Sequence, residues 1–277
     1  AVLTIAQDKK GKLWFGGGDN LFVYDSQTII NLRVQDNIFN KLDYINKICI
    51  NDKDDLFIAT ATQLFIFNID KRKAVLKRGK PFIEKLVVSD IQILSGHIFL
   101  CTNRGLYVAV PASDSYDFKL ILDRPHTQTI VQTGLDSYTI ASSDGIESFT
   151  YKNKRISQTH NLGFPLLPLK ERIFSTMYIK DNILWVGTKL HGLFLFNFSS
   201  QNWRNLREEN SNLLSNNVRK IIRNTNGELL IGTLKGLSVF NGSPVFTNYK
   251  HNTSIKNSLS QNSIYDIFVD NQKAIWL

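Results

Sequence analysis

The chain has 277 residues, 43% of them hydrophobic, and carries 33 Lys and Arg against 24 Asp and Glu for a net charge of +9. That apolar fraction excludes a disordered chain. No apolar run reaches the 18 residues of a membrane-spanning helix.

In chain order, one pattern recurs seven times: an apolar triplet, a small residue, a Thr or its stand-in, then Gly-Leu. It reads LWFGGGDNLFVYD from Leu13, LFIATATQLFIFN from Leu56, IFLCTNRGLYVAV from Ile98 and TIASSDGIESF from Thr139. It continues as LWVGTKLHGLFLFN from Leu184, LLIGTLKGLSVFN from Leu229 and IWL from Ile275. The second triplet position, Trp14, Phe57, Phe99, Thr139, Trp185, Leu230 and Trp276, returns after 43, 42, 40, 46, 45 and 46 residues. A period of about 40–50 residues built from short strands matches a four-stranded propeller blade.

Each copy predicts the same four elements. An extended run comes first, at residues 2–6, 45–50, 218–222 and 264–269, and reads as the innermost strand. A polar turn follows, as at 8–11, 51–55, 224–227 and 270–273. The triplet is the second strand, and the Gly-Leu segment the third, after a tight hairpin that needs a positive φ. Asn20 and Gln63 stand in for that Gly in the first two copies. The outer strand is the least regular, with Trp203 and Tyr249 as expected packing residues. Residues 162–170, with Pro165 and Pro168, read as a long inter-blade loop.

Strands rich in Ile, Val, Phe, Thr and Tyr disfavour a helical solenoid, and their apolar character on both faces favours a propeller over a half-solvated sandwich. The predicted fold is therefore all-β: one β-propeller domain over 1–277. Its repeats lie near 2–43, 44–88, 89–128, 129–172, 173–215, 216–261 and 262–277. The last is cut inside its second strand, so the chain is expected to be a piece of a longer protein with a complete seven-bladed ring. Cys49 and Cys101 read as small, free core residues. Two basic runs, Lys71, Arg72, Lys73, Lys77, Arg78, Lys80 and Lys85, then Lys152, Lys154 and Arg155, fall on outer strands and read as a solvated rim. A nucleic-acid contact is not expected, because these residues are not interleaved with aromatics in any recognisable module.

Several chemistries are missing from the sequence. His97, His126, His160, His191 and His251 are scattered without an HxxxH or CxxC pattern, so no metal and no cofactor is expected. There is no GxSxG, P-loop or GxGxxG, and Glu208 with Glu209 forms no convincing acid/base pair.

The segments LLSNNVRKIIRNTNGELLIGTLKGLSVFN from Leu213 and NSLSQNSIYDIFVDNQKAIWL from Asn257 closely resemble the regulator-propeller repeat, approximately SLSNNxVxxIxxDxxGxLWIGTxxGLxxYN. Trp185, Gly187 and Thr188 match its WIGT, while in the fourth copy Thr139 replaces the Trp and Ser142 the Thr. The resemblance implies the periplasmic sensor region of a Bacteroidetes hybrid two-component histidine kinase, part of an inner-membrane protein. It implies further domains of the same chain, namely a second propeller, a β-sandwich and the kinase, and a homodimer at full length. The implied ligand is an oligosaccharide, acidic if the basic residues contact it, whose detection controls polysaccharide-utilisation genes.

Propeller geometry says where such a ligand would meet the chain. Hairpins joining second to third strands, and connections from each outer strand to the next innermost one, emerge on one face around the central channel. That face carries Gln63, Arg104, Lys189, His191 and Lys235 on hairpin tips, with Tyr44, Asn217 and Asn262 at channel entrances, and these eight are the candidate ligand-binding residues. The fifth hairpin, Lys189-Leu190-His191-Gly192, is one residue longer than the others and is expected to protrude. Trp14, Trp185 and Trp276 are expected to pack between blades. Two other classes remain open: a protein-binding propeller scaffold without a small ligand, and a propeller lyase or lactonase, for which only Tyr44, His126 and His191 are candidates.

Overall fold

The structure is a computed structural model that describes residues 1–35, 39, 42–71, 73–74, 86–112, 115–243 and 245–277. It is a β-propeller: six antiparallel four-stranded sheets and a seventh of two strands, each running outward in chain order. The innermost strands are Thr4–Gln7, Ile45–Ile50, Val88–Leu94, Thr129–Gln132, Phe174–Lys180, Val218–Arg223 and Phe268–Val269. The second strands are Leu13–Gly17, Asp55–Thr60, His97–Thr102, Ser137–Ser142, Ile183–Thr188, Leu229–Thr233 and Ile275–Trp276. In blade 7 the pairs are Phe268 with Trp276 and Val269 with Ile275, a register that places the partners of 264–266 past Leu277; Ile264 and Ile267 are buried beside them.

Each position of the repeated sequence has a physical role. In the first turn, the Asp or Asn folds its carboxylate or amide oxygen back on the chain. Asp8 Oδ1 accepts from the Lys10 and Lys12 N–H groups, Asn224 from Asn226 and Glu228, and Asp270 from Gln272 and Ala274. Where this residue is Asp, its second oxygen reaches the motif Trp: Asp8 takes the Trp14 indole N–H at 3.0 Å and Asp270 that of Trp276 at 2.8 Å. In blade 5 the turn is instead Asp181-Asn182, both at positive φ, and the buried Trp185 Nε1 is left without a partner.

The motif Thr closes the second hairpin. Thr188 Oγ1 donates to the Gly192 carbonyl and accepts from the His191 N–H; Thr102 and Thr233 do the same with their own Gly105 and Gly236 carbonyls. The small residue before it lets blades approach: a Cβ on Gly187 would lie 2.7 Å from Val218 Cγ1, and one on Gly232 2.7 Å from Ile264 Cγ2. Cys101 occupies this position in blade 3, fully buried, whereas Cys49 on an innermost strand is only partly buried. Neither Asn20 nor Gln63 takes up a positive φ; blade 1 turns at Gly18 instead.

The core is sliced between blades. Trp14, Leu21 and Val23 of blade 1 pack on Ile45, Ile48, Leu56 and Ile58 of blade 2, and Phe99 and Val108 of blade 3 on Tyr138, Ile140 and Phe149 of blade 4. Each such Leu, Ile or Phe contributes about 1.5–3 kcal/mol by leaving water. Blade 7 meets blade 1 through Trp276, whose ring lies 6.0 Å from Phe15 and 5.8 Å from Tyr24, and through the Asn271 N–H to Gln7 Oε1 bond. Trp203 packs as expected, against Phe164, Phe194 and Phe196, but Tyr249 is 51% exposed and among the described residues packs on no ring. The connection at 162–170 is packed at its start, where Phe164 contacts Phe174 and Phe194 edge-on and the Leu162 carbonyl accepts the Trp203 indole N–H, and is exposed at Leu166 and Leu169.

Candidate functional site

The innermost strands enclose a channel of about 690 Å³. Register fixes its middle tier: Thr4, Lys47, Asp90, Thr129, Thr176 and Lys220 all pair with the small residue of their own second strand. Asp266, two residues before Phe268, holds the same place in blade 7. These seven side chains link six of the seven neighbouring pairs of blades, and Gln128 links blades 4 and 5 by accepting from the Phe174 N–H. Asp266 accepts from the Ile5 N–H of blade 1, Thr4 from Ile48 of blade 2, and Thr176 from Ile221 of blade 6. Lys47 approaches Asp90 at 3.4 Å, Asp90 accepts from the Thr129 hydroxyl, and Lys220 meets Asp266 at 3.0 Å.

The carboxylates of both ion pairs are buried and the ammonium side chains largely so, and each charge depends on its partner. Burial works against the Lys47 ammonium, yet Asp90 and Asp266 outweigh it and raise its pKa. Burial likewise opposes the Asp266 carboxylate, but Lys220 and Lys47 hold it below the usual carboxylate value. The tier is electrically balanced.

One residue nearer the hairpin face, the wall is polar except for Leu3 of blade 1, and unlike the ring. It presents Asn46, Ser89, Gln128, Ser175, Arg219 and Tyr265, with Tyr44 and Lys189 at the rim. Arg219 is held by its stacking over the Tyr265 ring, 5.3 Å from guanidinium carbon to centroid. Its buried Nε has no hydrogen-bond partner. Lys189 has its pKa lowered, first by burial and then by the like charge of Arg219. The far end is lined by Leu94, Val131, Tyr178 and Ile222 among others.

Of the eight residues proposed from sequence, the structure brings Tyr44 and Lys189 together in the channel wall. The other six lie outside it. Gln63 and Arg104 are exposed on their hairpin tips. His191 Nε2 is 3.0 Å from Glu171 Oε2, and Lys235 Nζ is 2.6 Å from Glu208 Oε2. Asn262 accepts from the His251 N–H. Asn217 turns its Oδ1 into the protein, buried without a partner. The fifth hairpin is anchored at both ends, inward through Lys189 and sideways through His191, and only Leu190, 47% exposed, projects. Glu208 is not merely solvated: it accepts from the Asn216 N–H as well as Lys235, and its own N–H donates to Asn216. Arg72, Lys77, Arg78, Lys80 and Lys85 of the first basic run lie outside the described residues, and Lys152 in the second pairs with Asp136 at 3.2 Å.

Sequence reasoning missed Arg219 and Tyr265. The signal was available: both fall immediately before the ring residue, in copies whose lead-ins LSNN and LSQN fix the frame. Among the described residues no group of three or more His, Cys, Asp or Glu is placed to hold a metal, and no helix is long and apolar enough to cross a membrane.

No known family model and no curated protein matches this sequence. Solved structures do. The chain is similar over 99% of its length to the extracellular domain of the hybrid two component system BT4673 from B. thetaiotaomicron, at 20% identity and a TM-score of 0.77. It is similar over the same share to that of BT3049 from the same organism, at 22% identity and a TM-score of 0.75. It spans 36% and 38% of those two chains. A streptogramin B lyase structure is also similar, at 12% identity and a TM-score of 0.67, with 99% of this chain and 89% of the lyase covered.

Proposed function

We propose that this chain is a ligand-sensing propeller from the extracytoplasmic, periplasmic part of a membrane-anchored two-component sensor, and that its ligand is an oligosaccharide. The observation that carries the reading is the end-to-end likeness to the extracellular domains of two such systems. The polar, open channel mouth on the hairpin face supports it, since hydroxyl-rich ligands need several donors and acceptors around one cavity. Binding acts as a population shift: the ligand favours one arrangement of propellers or protomers by its difference in affinity, and further domains of the same chain transmit that difference. In this reading the sensor is a homodimer at full length, the response controls polysaccharide-utilisation genes, and the propeller itself is not catalytic.

The test is calorimetric titration and thermal-shift screening against neutral and acidic oligosaccharides at two salt concentrations. Saturable stabilisation by one saccharide class supports the reading, because a ligand that binds only the folded state raises the melting temperature with its concentration. A folded protein that no saccharide shifts refutes it. A specific observation favours one rival, the protein-binding scaffold: Leu166 at 92%, Leu169 at 67% and Leu190 at 47% are exposed around the connection into blade 5 and its hairpin. The lyase reading draws on the fold likeness alone, and its candidate His191 is engaged with Glu171 outside the channel wall.

A further inference from the structure

The charge distribution along the channel is uneven. In the middle tier each ammonium has a carboxylate, Lys47 with Asp90 and Lys220 with Asp266. At the hairpin-face mouth there are two cations, Lys189 and Arg219, and among the described residues neither has an ion pair. They come from adjacent blades, line the same cavity and are close enough for Arg219 to disfavour the Lys189 charge. A like-charged pair at a part-buried site costs stability unless something neutralises it.

The geometry of Arg219 is pre-set. Its guanidinium lies over the Tyr265 ring at 5.3 Å, which holds the group at the channel wall, while the Nε is buried behind it without a partner. A planar guanidinium without an ion pair, lining a cavity beside a second cation, suits the two oxygens of an oxyanion. The site is bounded below, because an anion passing the mouth would meet a ring whose cations are already matched by Asp90 and Asp266. Tyr44, across the mouth and 53% exposed, offers an aromatic face to whatever carries the anion.

From this we infer that the channel mouth is an oxyanion-binding site, in which Arg219 and Lys189 hold the carboxylate or sulfate of an acidic saccharide. The saccharide part of this inference rests on the sensor reading; the anion site does not. A free inorganic anion and a sugar-borne one share the same chemistry here, and they are separated by the arms of the experiment.

The experiment titrates the full chain with sodium sulfate, sodium glucuronate and glucose at constant ionic strength, following heat and melting temperature. The same titrations are made on Arg219→Gln, Lys189→Gln and the outer-rim variant Lys152→Gln. Arg219→Lys, which keeps the charge and removes the fork, guards against misfolding of Arg219→Gln, and every variant is first melted without ligand. The expected result is saturable binding of both anions but not glucose. Affinity falls about 10-fold or more in Arg219→Gln and Lys189→Gln, as loss of a charged hydrogen bond requires, and is unchanged in Lys152→Gln. Sulfate without glucuronate keeps the anion site and removes the saccharide from it. No anion binding in the folded chain, or binding that Arg219→Gln, Arg219→Lys and Lys189→Gln all leave unchanged, overturns the inference. Neutral oligosaccharides that bind all variants equally would overturn this site while sustaining the sensor reading.

Discussion

Replacing Gly236 with Ala asks whether the glycine that ends the second hairpin in blades 3 to 6 answers a turn preference or a spacing requirement. Gly236 sits at φ +130°, and a Cβ there would lie 2.4 Å from the Tyr249 carbonyl oxygen and 2.7 Å from Leu214 Cδ1. The backbone conformation alone costs a side chain about 1–3 kcal/mol. Overpacking adds about 1–3 kcal/mol, since the carbonyl in the way belongs to backbone that must shift by roughly an ångström. Gly18 supplies the reference: its φ is +58° and a Cβ would meet nothing within 4 Å. Gly18→Ala therefore bears the left-handed penalty alone, about 1–2 kcal/mol. With an unfolding entropy of about 2.1 cal/mol/K per residue, each kcal/mol moves the midpoint of this chain by about 2 °C. Calorimetric melts should then fall by about 4–12 °C for Gly236→Ala and about 2–4 °C for Gly18→Ala. Tyr249 pairs with Leu237, so the outer strand Thr247–Tyr249 should also lose amide protection first. Equal depression of both midpoints, with the outer strand still protected, would refute the spacing argument.

Asp266→Asn leaves the Lys220 ammonium buried without its carboxylate, and denaturant unfolding should show a loss of about 3–5 kcal/mol. Because the folded-state pKa of Asp266 is depressed, its stabilisation is complete above the ordinary carboxylate value and is lost as pH falls through the depressed one. Melts from pH 6 down to pH 2 should therefore decline more steeply in the wild type than in Asp266→Asn, and parallel curves would contradict the ring's role. Thr188→Val removes both side-chain hydrogen bonds that close the fifth hairpin and keeps the Thr188 N–H bond to the Gly192 carbonyl, at a cost of about 1–3 kcal/mol, whereas Thr188→Ser, the residue type blade 4 uses at Ser142, should recover most of it in urea titrations. Burial pushes the Cys49 thiol up to about 11 against the opposing Lys47 charge, and burial raises Cys101 well above its usual value. Both should react with a disulfide reagent at pH 8 at least about 100-fold more slowly in the native chain than in denaturant.

The blade architecture was legible because the repeated residues do local work that sequence displays directly. An Asp or Asn opens the first turn, a Thr closes the second, and a small residue lets the next blade approach. The two turn residues act on backbone within about four positions of themselves, so reading their spacing is enough to place second and third strands. Outer strands depend on what they pack against, which is why Trp203 and Tyr249 look equivalent in sequence and diverge in the structure. Trp203 finds Phe164 on the preceding connection, whereas Tyr249 stays 51% exposed.

The candidate site was legible only in outline, because position in the repeat and direction of the side chain are different things. Hairpin tips were a sound place to look for exposed polar groups, but exposure near a carboxylate ends in pairing, as His191 with Glu171 and Lys235 with Glu208 show. The residues that converge are those one step before the ring tier on each innermost strand, and their alternation with it is visible once the copies are aligned. Read that way, Arg219 and Tyr265 are adjacent around the channel although they are 46 residues apart in sequence. The middle tier makes the same point more strongly. Its order, Thr4, Lys47, Asp90, Thr129, Thr176, Lys220 and Asp266, has no meaning along the chain. Around the circle it places each Lys beside the Asp that neutralises it. A repeat protein can therefore keep one local pattern in every blade and still build a different wall at every point of its channel. The wall, more than the repeat, determines what can bind.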